Sequence, residues 1–528
     1  MIKNRLLALA LSALIPGLHG VKAQTPSALP QGIDKYIIRV MKTFEVPGLC
    51  IAIVKDGKPI LTKGYGTKKL GSTDHVDEHT LFPIASNSKA FTATILAMLV
   101  EEKKLDWNRP VIDYLPWFRM SDAYVTSQLT VKDLLVHRSG LAPYAGDLLQ
   151  FPPTRYSREE IVKKLKDLPL TNSFRNNYAY DNILYLAAGE LIRQVTGNDW
   201  EDEVRARILQ PIGMKETLSR ISQFEKAGNR SYSHARFDGA VKEVTGFLQY
   251  GISDLTNPAG GIASNANDMA KWLTLQLDSG RALNGKTIFK PTTTTTLWKG
   301  ATPMPVAQLP AHIKPAQMEY QMYALGFYTY NYRSERAVVH GGKLDGFVSR
   351  VFMIPSQKLG IAILTNQESG GAISAIINHI CDHVLHAPAF DWVAGYKKAQ
   401  DTGLDNIRKT EQAAISQRAA GSRHSLPLEK YAGSYKDAWY GTVNITKEGE
   451  RLVMNFTHSP GMIGDMEHWQ FDSFIVRWRH REFKADAYVT FSLEPDGSIR
   501  QVRMKAISPV TDPSYDFHDL LLKPISTN

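Results

Sequence analysis

Pro83-Ile84-Ala85-Ser86-Asn87-Ser88-Lys89-Ala90-Phe91 is the stretch on which the reading of this chain turns. A long apolar helix begins inside it, and the pattern carries that helix from Ser88 to Lys103. Ser86 stands where the helix starts, so its hydroxyl faces the positive end of the helix dipole, which favours developing negative charge. Lys89 follows three residues later on the same helical face. A serine hydroxyl is a weak nucleophile until a base takes its proton. A lysine serves as that base when burial lowers its pKa and keeps it neutral. Ser-x-x-Lys alone is also the pattern of an N-cap serine with a surface lysine. The apolar residues around Lys89 favour the buried reading.

Outward from this turn, residues 34–70 read as a short helix followed by strands. Val54-Lys55-Asp56-Gly57-Lys58-Pro59-Ile60 reads as a hairpin about an Asp-Gly turn. Helical patterns follow at 130–137, 157–167, 183–195, 199–208 and 266–279. Thr292–Thr296 reads as a helix cap and first turn. Strands return near 324–332, 336–340, 347–354 and 359–365, and a last helix covers about 371–386. Strands at both ends with helices between them predict an α/β core whose termini meet in one sheet. Composition changes after residue 390. Residues 391–425 are polar and Ala-rich and read as a partly helical linker. Residues 426–528 alternate with a period near two and turn at Pro495-Asp496-Gly497, which predicts a small antiparallel barrel or sandwich.

Two further stretches carry chemistry. Tyr180-Asp181-Asn182 precedes the apolar run Ile183–Ile192. A tyrosine just before a helix projects into a cleft and, near a lysine, relays a proton; alone it is equally a core tyrosine. His340-Gly341-Gly342 follows the strand Ala337-Val338-Val339. Two glycines at a strand edge let a substrate lie against the backbone, and the next N–H can serve an oxyanion; alone they are equally a turn.

Ser86-x-x-Lys89, Tyr180-x-Asn182 and His340-x-Gly342 resemble, in order and rough spacing, the three active-site motifs of serine β-lactamases and penicillin-binding proteins. Flanking segments are similar to the class C-like branch, with its D-aminopeptidases, carboxypeptidases and esterases. These are Thr130–Leu141 with His137, Pro258–Ser264 before Asp268, and Gly342–Phe347. The resemblance spans roughly residues 30–388. It implies an α/β, β-lactamase-like fold, an antiparallel sheet flanked by helices plus an all-helical region, in residues 28–390. A barrel of lipocalin-like type would follow, opening at Leu428–Tyr435, packing near the cleft and restricting substrate length. It also implies the roles. Ser86 attacks a carbonyl, Lys89 takes its proton or holds Tyr180 as a phenolate, and Tyr180 moves protons to the leaving group and water. Asn182 binds the substrate amide, His340 and Gly342 line the strand edge, and the N–H groups of Ser86 and Lys343 form an oxyanion hole. Many relatives have lysine where this chain has His340. Histidine lacks that fixed charge at neutral pH, which counts against β-lactam hydrolysis.

The 528 residues require two or three domains. Apolar residues at 43% and charged residues at 22% describe a globular protein. Residues 1–23, with Lys3 and Arg5, the apolar run Leu6–Leu14 and a small-residue end at Ala23, read as a cleaved secretory signal. The expected protein is secreted or periplasmic and spans no membrane. The net charge of +10, without an arginine-rich cluster, disfavours nucleic acid. Cys50, in the apolar run Gly48–Val54, reads as a small buried thiol, while an exported protein can also pair it with Cys381, and the sequence leaves that pairing open. His379 and His383 have metal-ligand spacing, but their helix is expected on the sheet far from the serine, so no metal or cofactor is expected. The expected function is an acyl-enzyme hydrolase acting on D-residue peptides, peptidoglycan fragments or small esters. A class C-like β-lactamase and a silent peptidoglycan-binding protein are the alternatives.

Overall fold

The computed structural model describes residues 29–237, 239–419 and 421–525. The signal expected at 1–23 lies outside them. An eight-stranded antiparallel sheet forms the first half. Its spatial order is Lys58–Gly66, Gly48–Lys55, Leu359–Thr365, Phe347–Ile354, Glu335–Leu344, Tyr328–Tyr332, Gln321–Tyr323, Thr302–Pro303. N-terminal and C-terminal strands thus pair with each other, second and third in that order, with Ile51 opposite Ile363. The first hairpin closes tightly because Asp56 and Gly57 both take positive φ, 51° and 75°.

The central strands are buried on both faces, and their alternation feeds two cores. Leu49, Ile51, Ile53, Ile361 and Ile363 pack with the helices Ile33–Phe44 and Gly370–Val384. Cys50, Ala52, Val54, Ala362 and Leu364 point the other way, toward the helices Ser88–Glu101, Ile183–Thr196 and Ala266–Leu277. Cys50 and Cys381 are both buried and unpaired.

Several helical expectations needed correction. The 130–137 stretch is only a 3-10 turn at Lys132–Leu135. There Thr130 bonds the Asp133 carboxylate through both its N–H and its hydroxyl, and such local bonds compete with a helix. The threonine run lies inside the helix Pro291–Trp298, not at its cap, because Pro291 fixes the first helical position. The strand expected over 324–332 is broken at Gly326, which has φ 76°. The 391–425 segment carries a 25-residue helix, Trp392–Ser416, buried at its first turn.

Beyond it, eight antiparallel strands form a nearly closed barrel running from Gly433–Asp437 to Lys523–Pro524. The last strand pairs with the first, and a bridge from Val502 to Leu522 draws the other edge in. Val443, Ile445, Met454, Phe456, Trp478 and Phe491 fill it.

Candidate active site

The turn that carries Ser86 is a 3-10 step, Ala85–Asn87, entering the helix Ser88–Glu101. Ala85 holds φ 49°, a costly conformation for a residue with a side chain. It leaves Ser86 partly exposed while Lys89, one turn on, is fully buried. The Ser88 hydroxyl donates to the Ala85 carbonyl at 2.8 Å and accepts from the Ile262 N–H at 3.0 Å, tying the turn to the 258–264 segment.

Three distant stretches meet here. Lys89 Nζ lies 3.2 Å from Ser86 Oγ, and the Tyr180 hydroxyl donates to the same Oγ at 2.8 Å. Lys89 Nζ also donates to Asn182 Oδ1 at 2.6 Å and to the Ala259 carbonyl at 2.8 Å. Tyr180 and Asn182 reach in from just before the helix Ile183–Thr196. The strand Glu335–Leu344 presses on the turn so closely that a Cβ at Gly342 would lie 2.2 Å from the Ile84 carbonyl. Gly326 plays the same part behind the helix, where a Cβ would meet the Lys89 carbonyl at 2.8 Å.

Burial pulls the Lys89 amine down to about 7, against the opposing pull of Asp147 and Asp181. Burial, with Tyr328 next, pushes the Tyr180 phenol well above its ordinary value. At neutral pH, therefore, Tyr180 keeps its proton and Lys89 is poised to lose one.

His340 lies on the strand beside the turn, but its ring is only 1% exposed. Its Nδ1 donates to the Gly341 carbonyl at 2.6 Å, and its Nε2 accepts from the Tyr323 hydroxyl at 3.0 Å. Burial, then the nearby Lys89 charge, hold it down to about 3, so the ring is neutral. The expected strand-edge position holds for its backbone and not for its ring. The Lys343 ammonium pairs with Asp512 Oδ2 at 3.1 Å. His137 is buried with its ring 4.4 Å from those of Tyr180 and Tyr323, and its Nδ1 accepts from the Asp181 N–H at 3.2 Å. His379 stacks on Tyr36 at 3.8 Å, and no group of three or more ligating residues able to hold a metal occurs among the described residues.

Sequence reading missed a layer behind Asn182. Buried Asp147 accepts from Asn182 Nδ2 at 2.7 Å, Gln150 Nε2 at 2.9 Å and the Ser514 hydroxyl at 2.8 Å. Asp516 accepts from the N–H groups of Gly146 at 2.7 Å and Leu148 at 3.1 Å. An acid set against Leu148-Leu149 was the one available signal; Ser514 and Asp516 gave none.

A serine hydroxyl held between a buried amine and a protonated phenol, at the start of a helix packed on an antiparallel sheet, is an arrangement able to carry out serine acyl transfer. The chain belongs to the Beta-lactamase family, whose profile matches residues 33–379, and it is a serine hydrolase of that family. Residues 417–524 match a Domain of unknown function (DUF3471). Among its relatives is an Unguisins hydrolase of Aspergillus campestris, 29% identical over 81% of this chain and 79% of that one. Protein flp of Staphylococcus aureus is 25% identical over 69% of this chain and 68% of its own. Two solved structures share the fold. An octameric penicillin-binding protein homologue from Pyrococcus abyssi has TM-score 0.57 at 19% identity, covering 93% of this chain and 99% of that one. A class C β-lactamase from Rhodobacter sphaeroides has TM-score 0.53 at 21% identity, covering 67% of this chain and 98% of its own.

Proposed function

We propose that the chain is an exported hydrolase that forms an acyl-enzyme on Ser86. Its substrates would be amides or esters, such as D-amino-acid peptides, peptidoglycan fragments or small esters. The observation that carries this is the convergence of Lys89 Nζ and the Tyr180 hydroxyl on Ser86 Oγ, at 3.2 and 2.8 Å.

In acylation, Ser86 Oγ bonds to the substrate carbonyl carbon as its proton passes to Lys89 Nζ and the carbonyl electron pair moves onto oxygen. Collapse of that adduct expels the amine or alkoxide, which takes a proton through Tyr180. Water then repeats the sequence on the acyl-enzyme. The lowered Lys89 pKa and the raised Tyr180 pKa support Lys89 as base and Tyr180 as donor. Asn182 and the Gly342 strand would receive the substrate backbone, and the N–H groups of Ser86 and Lys343 its oxyanion.

Two observations favour peptides or esters over β-lactams. His340 is neutral and buried, and the Lys343 ammonium is already paired with Asp512, so neither offers a free charge to a substrate carboxylate. The similarity to an Unguisins hydrolase supports hydrolysis without fixing the substrate here. Export rests on residues 1–23.

Intact-mass measurement after exposure to a fluorophosphonate tests the reading. Wild type should gain one label and Ser86→Ala none; a label that persists in Ser86→Ala would overturn the nucleophile. Turnover on D-Ala peptides, p-nitrophenyl esters and nitrocefin then sorts the substrate class, with nitrocefin expected last.

A further inference from the structure

A neutral amine has two N–H bonds and one lone pair. Around Lys89 Nζ, Asn182 Oδ1 and the Ala259 carbonyl can only accept, so they hold the two N–H bonds. The lone pair is then left facing the Ser86 hydroxyl. This works only if Asn182 turns its oxygen, and not its NH2, toward the amine. The two ends of an amide side chain are nearly the same shape, so the partner on the far side decides. That partner is Asp147 Oδ2, which receives Asn182 Nδ2 at 2.7 Å. An ionised carboxylate only accepts, and so it fixes the orientation. Once protonated, Asp147 could donate to the Asn182 oxygen and turn the amide round.

Asp147 in turn is held from the C-terminal domain. The Ser514 hydroxyl donates to its Oδ2 at 2.8 Å, and Asp516 grips the N–H groups on either side of it. Lys89, Asp512, Asp516 and Tyr144 are the titratable groups whose charge bears on Asp147. Asp147, Asp181, His137, His340, Tyr180 and Tyr185 are those around Lys89.

We infer that the barrel completes the catalytic site, with Ser514 and Asp147 as positioning residues that orient Asn182 and so aim the Lys89 lone pair at Ser86. The inference rests on the Ser86–Lys89 reading above. The competent form has Asp147 ionised and Lys89 neutral. Asp147 raises the Lys89 pKa, so its removal lets the amine deprotonate at lower pH. The Ser514 hydrogen bond lowers the Asp147 pKa, so its removal delays ionisation to higher pH. The two losses therefore displace the pH profile in opposite directions.

The test measures the rate of fluorophosphonate labelling of the full chain against pH, by intact mass, for wild type, Asp147→Asn, Ser514→Ala and Ser514→Thr. Wild type should gain rate through neutrality. Asp147→Asn should move that rise to lower pH with a plateau about tenfold or more slower, the size of one lost charged hydrogen bond. Ser514→Ala should move it to higher pH, and Ser514→Thr should restore it. Rises that coincide for wild type and Ser514→Ala would overturn the inference even if Asp147→Asn failed to fold. Failure of wild type to label at Ser86 would instead sink the site reading itself.

Discussion

At the scale of single residues, the site holds two ionisable groups displaced toward each other. Burial brings the Lys89 amine down from 10.5 to about 7 and the Asp147 carboxyl up from 3.8 to about 7. Each shift is a stability statement. For Asp147 the folded state holds a proton that the unfolded chain has lost, so its contribution is full below pH 3.8 and lost as pH rises to 7. For Lys89 the unfolded chain holds a proton that the folded state has released, so its contribution is lost as pH falls from 10.5 to 7. Together they give the wild-type fold a stability that declines from about pH 4 to 7 and recovers above it. Thermal melts against pH should show Asp147→Asn without the decline and Lys89→Met without the recovery. Melting curves of both variants parallel to wild type at every pH would show that neither group is shifted. His340 makes the opposite expectation. Held neutral down to about 3, it should add no inflection to activity between pH 5 and 8, and His340→Gln should keep the profile's shape.

At the scale of elements, two glycines on adjacent positions of the strand Glu335–Leu344 do different work. A Cβ at Gly342 would sit 2.2 Å from the Ile84 carbonyl and 2.8 Å from Ala85 Cβ, at the entry to the Ser86 turn. At Gly341 the nearest atom is 3.7 Å away, an ordinary contact. Gly342→Ala should therefore push strand and turn apart, costing about 1–3 kcal/mol of stability and most of the Ser86 labelling. Gly341→Ala should fold and label like wild type. Equal behaviour of the two, by chemical denaturation and labelling rate, would remove the argument that strand contact sets the Ser86 position. This pair also shows what was readable beforehand. The glycines stood out as a strand-edge pattern, and the apolar runs of Gly48–Lys55 and Leu359–Thr365 were plain because each strand feeds a core on both faces. The break at Gly326 was not plain. It is the hairpin loop that joins Gln321–Tyr323 to Tyr328–Tyr332, closed by the Ala324 N–H on the Phe327 carbonyl, and the helix Ser88–Glu101 behind it leaves no room for a Cβ at 326.

At the scale of the whole molecule, the legible part and the hidden part divide by sequence distance. Ser86 and Lys89 lie one helical turn apart and announce themselves; Ser514 and Asp147 are 367 residues apart and sit in no periodic pattern. Their meeting depends on how the barrel is seated, and that seat is built from a few specific contacts. Tyr156 stacks on His458 at 4.2 Å and donates from its hydroxyl to the Tyr440 carbonyl at 2.8 Å. Lys164 Nζ donates to the Trp439 carbonyl at 2.8 Å, and Lys484 pairs with Glu368 at 2.9 Å. A Cβ at Gly441 would lie 2.8 Å from the Tyr156 hydroxyl, so the barrel loop there is fitted to this tyrosine. Tyr156→Ala removes the stack and the hydrogen bond together, a loss of about 1–3 kcal/mol at the seam. Calorimetry should then resolve a barrel transition below that of the first domain, whereas wild type should melt in one transition. Labelling of Ser86 should slow in step, because a barrel that loosens takes Ser514 away from Asp147. A split transition with unchanged labelling would show that the seam stabilises the fold without reaching the chemistry.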